Sequence, residues 1–469
     1  SSNLSLPFSQ FCSPFLDMAA PYLSRLSTVP RSTRSPAPGL SALALSKAPA
    51  SIDHPPCRAS AWRAAACAAL LASAHACPRA SVAARRKAVR NGGFATACAA
   101  GDVPTLHVGL VGYGLVGQEL VRQMIKEGPS LEEKIGVKLE IAAVSRSKVM
   151  ALLPSDSFSF LADGWDESKE EPADLAKLGQ HVVEAASSSG GRALIVDNTA
   201  SDTPAELYEA WILAGADVAT PNKRAGSGPF TRYEKIAAAS KKTGARFLYE
   251  ATVGAGLPVI GPLQALVRAG DEVETVEGIF SGTLSFIFNT WKPGVKFSEV
   301  VKEAKEKGFT EPDPRDDLGG TDVQRKVTIL ARELGLKIEL DDVPVKSLVP
   351  EKLQQWDAPD GKKLGDAFVE ELEAYDDEMD KLLEEAEKAN EVLRFVGSVD
   401  VKSGKASVKL GRYPKDHPFA GTQFADNICA VSSKWYTPRP LVIQGPGAGA
   451  AVTAAGVFSN IMEVMNGMR

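Results

Sequence analysis

Cysteine and long apolar runs are scarce in this chain. Five of the six cysteines precede residue 100, so Cys429 is the only one in the remainder and no intramolecular disulfide framework can form there. The apolar run at 64–76 is too short to span a bilayer and lies too far into the chain for a secretory signal. The sequence therefore predicts no membrane interaction and fits a reducing compartment.

Acidic side chains are nearly absent from the first hundred residues. This segment holds eleven Lys or Arg against Asp17 and Asp53, and it is rich in Ser, Ala and Pro. Such a composition is typical of an organelle transit peptide, and the lack of long amphipathic periodicity favours the plastid type over the mitochondrial type. We expect residues 1–102 to be a disordered leader, with Met18 as an alternative start of translation. The predicted location is the plastid stroma, with the mitochondrion as the alternative.

The body of the chain is acidic and poor in histidine. Residues 1–100 carry +9 and the whole chain −5, which leaves −14 for residues 101–469. This balance offers no basic surface for nucleic acid. The only histidines of the body are His107, His181 and His417, and none lies in a motif that would face a cofactor. Lysine is therefore the available proton donor.

A glycine-rich turn follows a buried strand predicted at 106–111. Its glycines are Gly112, Gly114 and Gly117, and an amphipathic helix comes next. In a dinucleotide-binding fingerprint the first glycine allows the turn, the second lets backbone amides approach the pyrophosphate, and the third lets the helix pack on the strand. We expect a dinucleotide site here. The alternative is a tight strand-to-helix turn without a ligand.

A second strand, predicted at 139–144, ends in the sequence Ser-Arg-Ser-Lys. NAD-specific folds usually place a carboxylate at this point for the ribose hydroxyls, whereas an arginine can bind a 2′-phosphate. No acidic residue occurs between Ile141 and Leu153. Arg146 therefore favours NADP over NAD. The alternative is that Arg146 and Lys148 are solvated surface charges.

The alternation of strands and helices continues. It predicts a helix at 173–187, a strand at 192–196, a helix at 203–214 and strands at 217–220 and 246–250. The side chains of Asp197-Asn198-Thr199 and of Lys223 follow the carboxyl ends of two of these strands, where open α/β sheets bind their ligands. A functional Lys223 is one interpretation, and a simple surface lysine is the other.

The segment 310–326 gathers acids and a lysine. Its prolines predict a non-helical loop, and Gly319-Gly320 precede a helix with apolar period that carries Lys326 one turn beyond Asp322. Its five acids are Glu311, Asp313, Asp316, Asp317 and Asp322. Such a cluster can hold a small zwitterion and pass a proton. The alternative is an exposed acidic loop that caps a helix.

Two more turns have ligand-binding features. Glu250 precedes a glycine-rich turn whose carbonyls can point inward, and a carboxylate with several carbonyls suits a hard cation; a tight turn alone is the alternative. Gly282 and Thr283 open a helix whose first amides can hold a carboxylate.

The rest of the chain is predicted to be scaffold. We expect one long acidic helix at 366–396, a hairpin of strands 394–401 and 406–412, strands at 428–436 and 441–444, and a glycine-rich turn into a helix after 445. His417 is interpreted as a structural or hinge residue.

Seven sequence strings resemble the homoserine dehydrogenase family in content and order. They are GLVGYGLVG, DNTAS, TPNKR, EATVGAGLP, GIFSGTLSFIFN, GFTEPDPRDDLGGTDVQRK and IQGPGAGAAVTAAGV, which span most of residues 103–469. The chain resembles the monofunctional, plastid-type form, since no aspartokinase domain precedes the motifs and little chain remains after Val464. The resemblance implies reversible NAD(P)-dependent interconversion of L-aspartate 4-semialdehyde and L-homoserine, in threonine and methionine biosynthesis.

The resemblance also implies roles for individual residues. Lys326 matches the proton donor, and Lys223 matches a lysine between cofactor and substrate. The expected substrate-binding residues are Glu311, Asp317, Asp322, Thr283 and Gly282. The expected cofactor-binding residues are Gly112, Tyr113, Gly114, Leu115, Val116, Gly117, Arg146, Thr199, Lys223 and Gly449. Glu250 with the carbonyls of Val253, Ala255 and Leu257 matches a sodium site.

The predicted fold class is α/β, with a Rossmann-type nucleotide-binding domain and an α+β domain for substrate binding and dimerisation. The predicted bounds are 103–257, completed by 445–469, and 258–444. We expect NADP(H) as the preferred cofactor, NAD(H) as an alternative, and a homodimer. A non-catalytic NADP-binding sensor of the same fold is the alternative function. An acylating aspartate-semialdehyde dehydrogenase is disfavoured, because Cys429 lies outside every motif.

Overall fold

The computed structural model describes residues 103–154, 161, 165 and 167–468 of the chain. The predicted leader, residues 1–102, lies outside the described residues. Among the described helices, none is both long enough and apolar enough to cross a membrane.

Strands and helices alternate in the first part of the described chain. The strands are β1 (Thr105–Val111), β2 (Lys138–Ser145), β3 (Val149–Leu152), β4 (Glu171–Pro172), β5 (Arg192–Asp197), β6 (Asp217–Ala219) and β7 (Phe247–Leu248). The helices are α1 (Leu115–Ile135), α2 (Leu175–Ser189), α3 (Asp202–Ala205), α4 (Tyr208–Leu213), α5 (Lys223–Ser227) and α6 (Phe230–Thr243).

These strands form one sheet in the order β4-β3-β2-β1-β5-β6-β7. Strands β2, β1, β5, β6 and β7 run parallel, and β3 and β4 extend one edge antiparallel. Buried clusters lie on both faces of the sheet, which explains why β1, β2 and β5 read as continuous apolar runs. The order reverses between β1 and β5, and their carboxyl ends form the crevice in which doubly wound sheets bind ligands. The predicted Rossmann-type sheet is confirmed.

Two predicted elements of this region differ in the structure. The helix expected at 203–214 is divided into α3 and α4, and the strand expected at 246–250 is only the two residues of β7. Glu250 instead begins a 3-10 turn, Glu250–Thr252, so its side chain stands beyond the sheet edge.

The second part of the described chain consists of helices and one antiparallel sheet. Its helices are α7 (Ile260–Arg268), α8 (Gly282–Thr290), α9 (Phe297–Glu306), α10 (Arg315–Leu318), α11 (Thr321–Glu333), α12 (Glu351–Gln354), α13 (Leu364–Leu372) and α14 (Asp376–Lys388). Its strands are β8 (Val273–Ile279), β9 (Glu391–Asp400), β10 (Lys405–Pro414), β11 (Asp426–Ser433) and β12 (Leu441–Pro446), in the antiparallel order β10-β9-β8-β11-β12. The largest core lies between this sheet and its helices, as an α+β fold predicts.

The prediction of a single helix at 366–396 is wrong. The segment holds α13, a 3-10 turn at Glu373–Tyr375 and α14, and strand β9 starts at Glu391. Asn390 has a φ of +58°, a left-handed conformation that ends helices. The apolar residues beyond it belong to a strand, and the predicted hairpin around Gly404 is confirmed.

The last helix returns to the first sheet. α15 (Ala450–Asn466) packs on α1, and its buried side chains join the core beneath β1 and β2. The Nε2 of Gln123 donates to the carbonyl of Ala451 at 3.1 Å. The C-terminal helix therefore completes the core around the glycine turn. The exact division at 257 and 444 stays a proposal.

Candidate functional site

The three glycines after β1 have separate structural roles. Gly112 has a φ of +88°, and a Cβ there would lie 2.7 Å from the Cγ2 of Thr199. A Cβ on Gly117 would lie 2.3 Å from the carbonyl oxygen of Gly112, so the helix can approach the strand only with glycine at this position. Gly114 precedes α1 and faces open space. Residues Tyr113 to Val116 thus present the start of α1 to a ligand, an arrangement that fits a dinucleotide diphosphate.

A buried carboxylate fixes the polar groups at the ends of β5 and β6. The Oδ2 of Asp197 accepts from the hydroxyl of Tyr208 at 2.5 Å and from the Nδ2 of Asn222 at 2.8 Å, and its Oδ1 accepts from the amide of Thr199 at 2.8 Å. Asn222 in turn caps α5, whose first residue is Lys223. Sequence reasoning gave Tyr208 and Asn222 no role, yet they orient Thr199 and Lys223 toward the crevice.

Two lysines from different parts of the chain bind one carboxylate. The Nζ of Lys326 lies 2.7 Å from the Oδ2 of Asp322, and the Nζ of Lys223 lies 3.3 Å from its Oδ1. Lys326 is buried, and its Nζ also donates to the carbonyl of Phe280 at 2.6 Å. The predicted convergence of Lys326, Lys223 and Asp322 is therefore present.

The three charges alter one another's protonation. Burial lowers the pKa of Lys326, Asp322 opposes this, and the ammonium of Lys223 lowers it further. Burial raises the pKa of Asp322, but the two ammonium groups outweigh burial and hold it well below its ordinary value. An ionised Asp322 thus faces a lysine whose ammonium is made more acidic than usual. That is the state a proton donor requires.

A second acidic group lies beside the start of α8. The Oδ2 of Asp317 accepts from the amide of Glu311 at 2.8 Å, and the Thr283 hydroxyl donates to the carbonyl of Phe309 at 2.5 Å. Burial raises the pKa of Asp317 to about 6, although hydrogen bonds from Glu311 and Thr283 oppose the rise. In the described part of the chain, no acceptor pairs with the amides of Gly282 and Thr283. Carboxylates therefore lie next to free amides, which suits an amino acid.

The expectation of a wholly non-helical loop at 310–320 is wrong. Residues Arg315–Leu318 form the single turn α10, which Pro314 can precede because its fixed φ suits a helix start. Asp313 binds the guanidinium of Arg315 at 2.6 Å instead of facing the lysines. Of the five acids, the structure couples Glu311, Asp317 and Asp322 electrostatically. Asp313 and Asp316 instead interact with the guanidinium of Arg315.

The turn after Glu250 offers a set of oxygens. Both carboxylate oxygens accept amides at the start of α7, from Val259 and Ile260 at 2.6 and 2.7 Å and from Gly261 at 2.7 Å. Among the described residues, no hydrogen bond ends on the carbonyl oxygens of Val253, Ala255 or Leu257. A carboxylate and three free carbonyls are the ligand types that a hard cation prefers. The described residues contain no cluster of three or more His, Cys, Asp or Glu that could hold a metal ion.

Arg146 stacks on aromatic rings at the end of β2. Its guanidinium lies 4.2 Å from the ring centroid of Trp165 and 6.0 Å from that of Tyr113. Stacking holds the guanidinium in place while its donors remain available. Sequence reasoning missed Trp165, because it lies nineteen positions beyond Arg146 with no motif around it.

Among the residues that the structure describes, two asparagines have buried side-chain amides in which neither polar atom has a hydrogen-bond partner. They are Asn198, beside the glycine turn, and Asn427, in β11. A buried unpaired amide is costly, so each is a sign of a missing partner. Gly449, with a φ of +113°, caps α15.

A doubly wound sheet with a glycine fingerprint, joined to an α+β region whose helix α11 carries a buried lysine, is the arrangement of a dinucleotide-dependent dehydrogenase. Comparison with known proteins agrees with this class. Residues 112–250 match the NAD-binding domain of homoserine dehydrogenase, and residues 258–462 match the family model described as homoserine dehydrogenase.

Individual relatives support the same family. A homoserine dehydrogenase of Schizosaccharomyces pombe is 41% identical and is matched over 96% of its length and 78% of this chain. The chloroplastic bifunctional aspartokinase/homoserine dehydrogenase 1 of Arabidopsis thaliana is 47% identical over 77% of this chain and 39% of its own length. A crystal structure of a Candida auris protein of unknown function is 37% identical with a TM-score of 0.69, over 77% of this chain and 98% of that one.

The chain belongs to the homoserine dehydrogenase family, as its seven motifs predict. It spans about two fifths of the length of the bifunctional plant relatives it matches.

Proposed function

We propose that the chain catalyses the reversible NAD(P)-dependent interconversion of L-aspartate 4-semialdehyde and L-homoserine. The observation that carries the proposal is the pairing of buried Lys326 and of Lys223 with one carboxylate, Asp322. A non-catalytic sensor of the same fold would need the glycine turn but not a buried ammonium whose pKa is lowered by burial. The pairing therefore favours a reaction.

The residues present suit each group of the substrate. The free amides of Gly282 and Thr283 would bind the α-carboxylate, and Glu311 with Asp317 would bind the α-ammonium. A bound nicotinamide supplies the hydride to the aldehyde carbon. Lys326 gives its proton to the oxygen that becomes an alkoxide, and Lys223 holds that oxygen from the cofactor side. A positioned acid of this kind contributes about 10² to 10⁴ in rate.

The cofactor preference and the cation belong to the same proposal. Arg146 stacks on Trp165, and no acidic residue occurs between Ile141 and Leu153. Both features support NADP(H) over NAD(H). The oxygens of Glu250, Val253, Ala255 and Leu257 support a sodium ion as a structural cation. We further propose a homodimer and a plastid location, the latter because the leader composition agrees with the chloroplastic relatives.

The deciding experiment is homoserine-dependent reduction of NADP, followed by the absorbance of the reduced nicotinamide. We expect a rate that saturates with L-homoserine and is reversed by L-aspartate 4-semialdehyde. If the cofactor binds but L-homoserine does not reduce NADP and L-aspartate 4-semialdehyde does not oxidise NADPH, the enzyme assignment is wrong. The sensor interpretation then replaces it. L-Serine, which lacks one methylene, serves as the control substrate.

A further inference from the structure

Asn427 is a buried amide with no hydrogen-bond partner in the described chain. It is 1% exposed, and neither its Nδ2 nor its Oδ1 is paired. It lies at the start of β11, and no motif of the sequence includes it. Because an unpaired buried amide costs free energy, the feature needs an explanation.

The amide lies at the reaction end of the second sheet. On one side Ile428 pairs with Ile279, which places Asn427 opposite Phe280, the residue whose carbonyl accepts the Nζ of Lys326. On the other side Asn427 pairs with Gly445 in β12. A Cβ on Gly447 would lie 2.1 Å from the Nδ2 of Asn427, so the glycine-rich segment 445–449 passes directly over the amide.

The same segment borders the start of α8. A Cβ on Gly282 would lie 3.5 Å from the Cβ of Ala448 and 3.3 Å from the carbonyl oxygen of Ala425. Asn427 is therefore next to both the free helix amides and the carbonyl bound to Lys326. A nicotinamide that reacts near Lys326 must come close to this amide.

A side-chain amide offers one donor and one acceptor side by side. A carboxylate would satisfy only the donor and would repel the Oδ1, whereas a carboxamide satisfies both atoms at once. The reactive ring of NAD(P) carries a carboxamide. We propose that Asn427 binds the nicotinamide carboxamide, its Nδ2 donating to the carbonyl oxygen and its Oδ1 accepting from the amino group. This inference rests only on the cofactor part of the proposed function.

Contact requires that segment 445–449 shift away from the amide, because Gly447 covers it here. The glycines at 445, 447 and 449 give this segment the freedom to move. Binding of the carboxamide would then hold the segment in its new position. Asn427 thus links cofactor binding to the fold of the loop that precedes α15.

Asn198 provides an internal comparison, since its amide is also unpaired. It lies 3.6 Å from the position of a Cβ on Gly117, at the turn that faces the diphosphate. It is therefore placed beside the expected diphosphate, away from the nicotinamide ring. Replacement of each asparagine by leucine, of similar shape, tests which amide recognises the carboxamide.

The test compares the affinities of NADP and of its 3-acetylpyridine analogue, in which a methyl ketone replaces the carboxamide. Titration calorimetry on the full chain measures both without turnover, so an absence of homoserine oxidation would not affect the result. We expect the parent chain to favour NADP by roughly tenfold, since one neutral hydrogen bond and its desolvated partner are at stake. Asn427→Leu should abolish this preference, and Asn198→Leu should keep it.

Three outcomes would overturn the inference. They are an equal affinity of the parent chain for both compounds, a preserved preference in Asn427→Leu, and a lost preference in Asn198→Leu alone. If Asn427→Leu does not fold, Asn427→Asp keeps the shape and exchanges the donor for an acceptor. That variant should bind both compounds more weakly than the parent chain, because its second carboxylate oxygen repels the carbonyl oxygen that NADP and the analogue share. Unchanged affinity for both compounds contradicts the inference.

Discussion

The Nζ of Lys326 lies 2.7 Å from the Oδ2 of Asp322, one turn earlier in α11. The second oxygen of Asp322 faces Lys223, the first residue of α5 after β6. One carboxylate thus pairs with two ammonium groups from distant parts of the sequence. The following predictions depend on this pairing and on the two sites that flank it.

Replacing Lys326 by methionine keeps the length of the buried side chain and removes its proton. We expect turnover to fall by about 10² to 10⁴, because the alkoxide loses its positioned acid. The affinity for NADPH should remain unchanged, which a fluorescence titration measures. Lys307→Met, at an exposed position, is the matched control. Retention of most activity in Lys326→Met would rule out the proposed donor.

Replacing Asp322 by asparagine should change the pH dependence of aldehyde reduction. The reaction needs protonated Lys326, so it is lost as pH rises through the pKa of that lysine. Asp322 raises this pKa, against the lowering by burial and by Lys223. Without the carboxylate the pKa falls further, and the loss of kcat/KM begins at a lower pH.

The control for this prediction is Asp313→Asn, since Asp313 binds Arg315 and does not face the lysines. Its pH profile should match that of the parent chain. If kcat/KM of Asp322→Asn falls at the same pH as that of the parent chain, or at a higher pH, Asp322 does not stabilise the ammonium of Lys326.

Replacing Glu250 by glutamine should destabilise the start of α7. The carboxylate accepts three amides there, and the loss of its charge should cost about 1 to 2 kcal/mol of unfolding free energy. Exchange of sodium for a large organic cation should lower the melting temperature of the parent chain and leave Glu250→Gln unchanged. Glu272→Gln, at an exposed carboxylate, controls for charge alone. Equal sodium dependence in all three proteins would refute the cation site.

Replacing Arg146 by alanine should reduce the affinity for NADP and leave that for NAD unchanged. Hydrogen bonds to a charged 2′-phosphate are worth about 1.5 to 3 kcal/mol, which corresponds to roughly tenfold to hundredfold in affinity. Lys148→Ala is the matched control from the same segment. If Lys148→Ala loses the affinity for NADP instead, or if Arg146→Ala loses affinity for NADP and NAD equally, Arg146 does not bind the 2′-phosphate.

The sequence was sufficient for features that a local pattern specifies. The apolar runs of β1, β2 and β5, the glycine turn and the spacing of Asp322 and Lys326 all follow from neighbours along the chain. The strand end before Lys223 indicated this lysine as a candidate, and family resemblance gave it a role. Its approach to Asp322 crosses about a hundred residues and has no local signal.

The remainder depends on which side chains meet in space. The Asp197–Tyr208–Asn222 network, the stacking of Trp165 on Arg146 and the unpaired amide of Asn427 join residues with no common motif. The long helix at 366–396 was predicted because its apolar stripe runs into the alternating residues of β9. A left-handed Asn390 separates the two periods, and asparagine only permits that conformation without requiring it.

The packing of α15 on α1 has a consequence for biogenesis. The core beneath β1 includes Val457, Ile461 and Val464, which are synthesised roughly two hundred residues after the last strand of the first sheet. That sheet must therefore remain incompletely covered until these residues have been made. Chains truncated before residue 450 should aggregate or require a chaperone, even though every strand of that sheet is present.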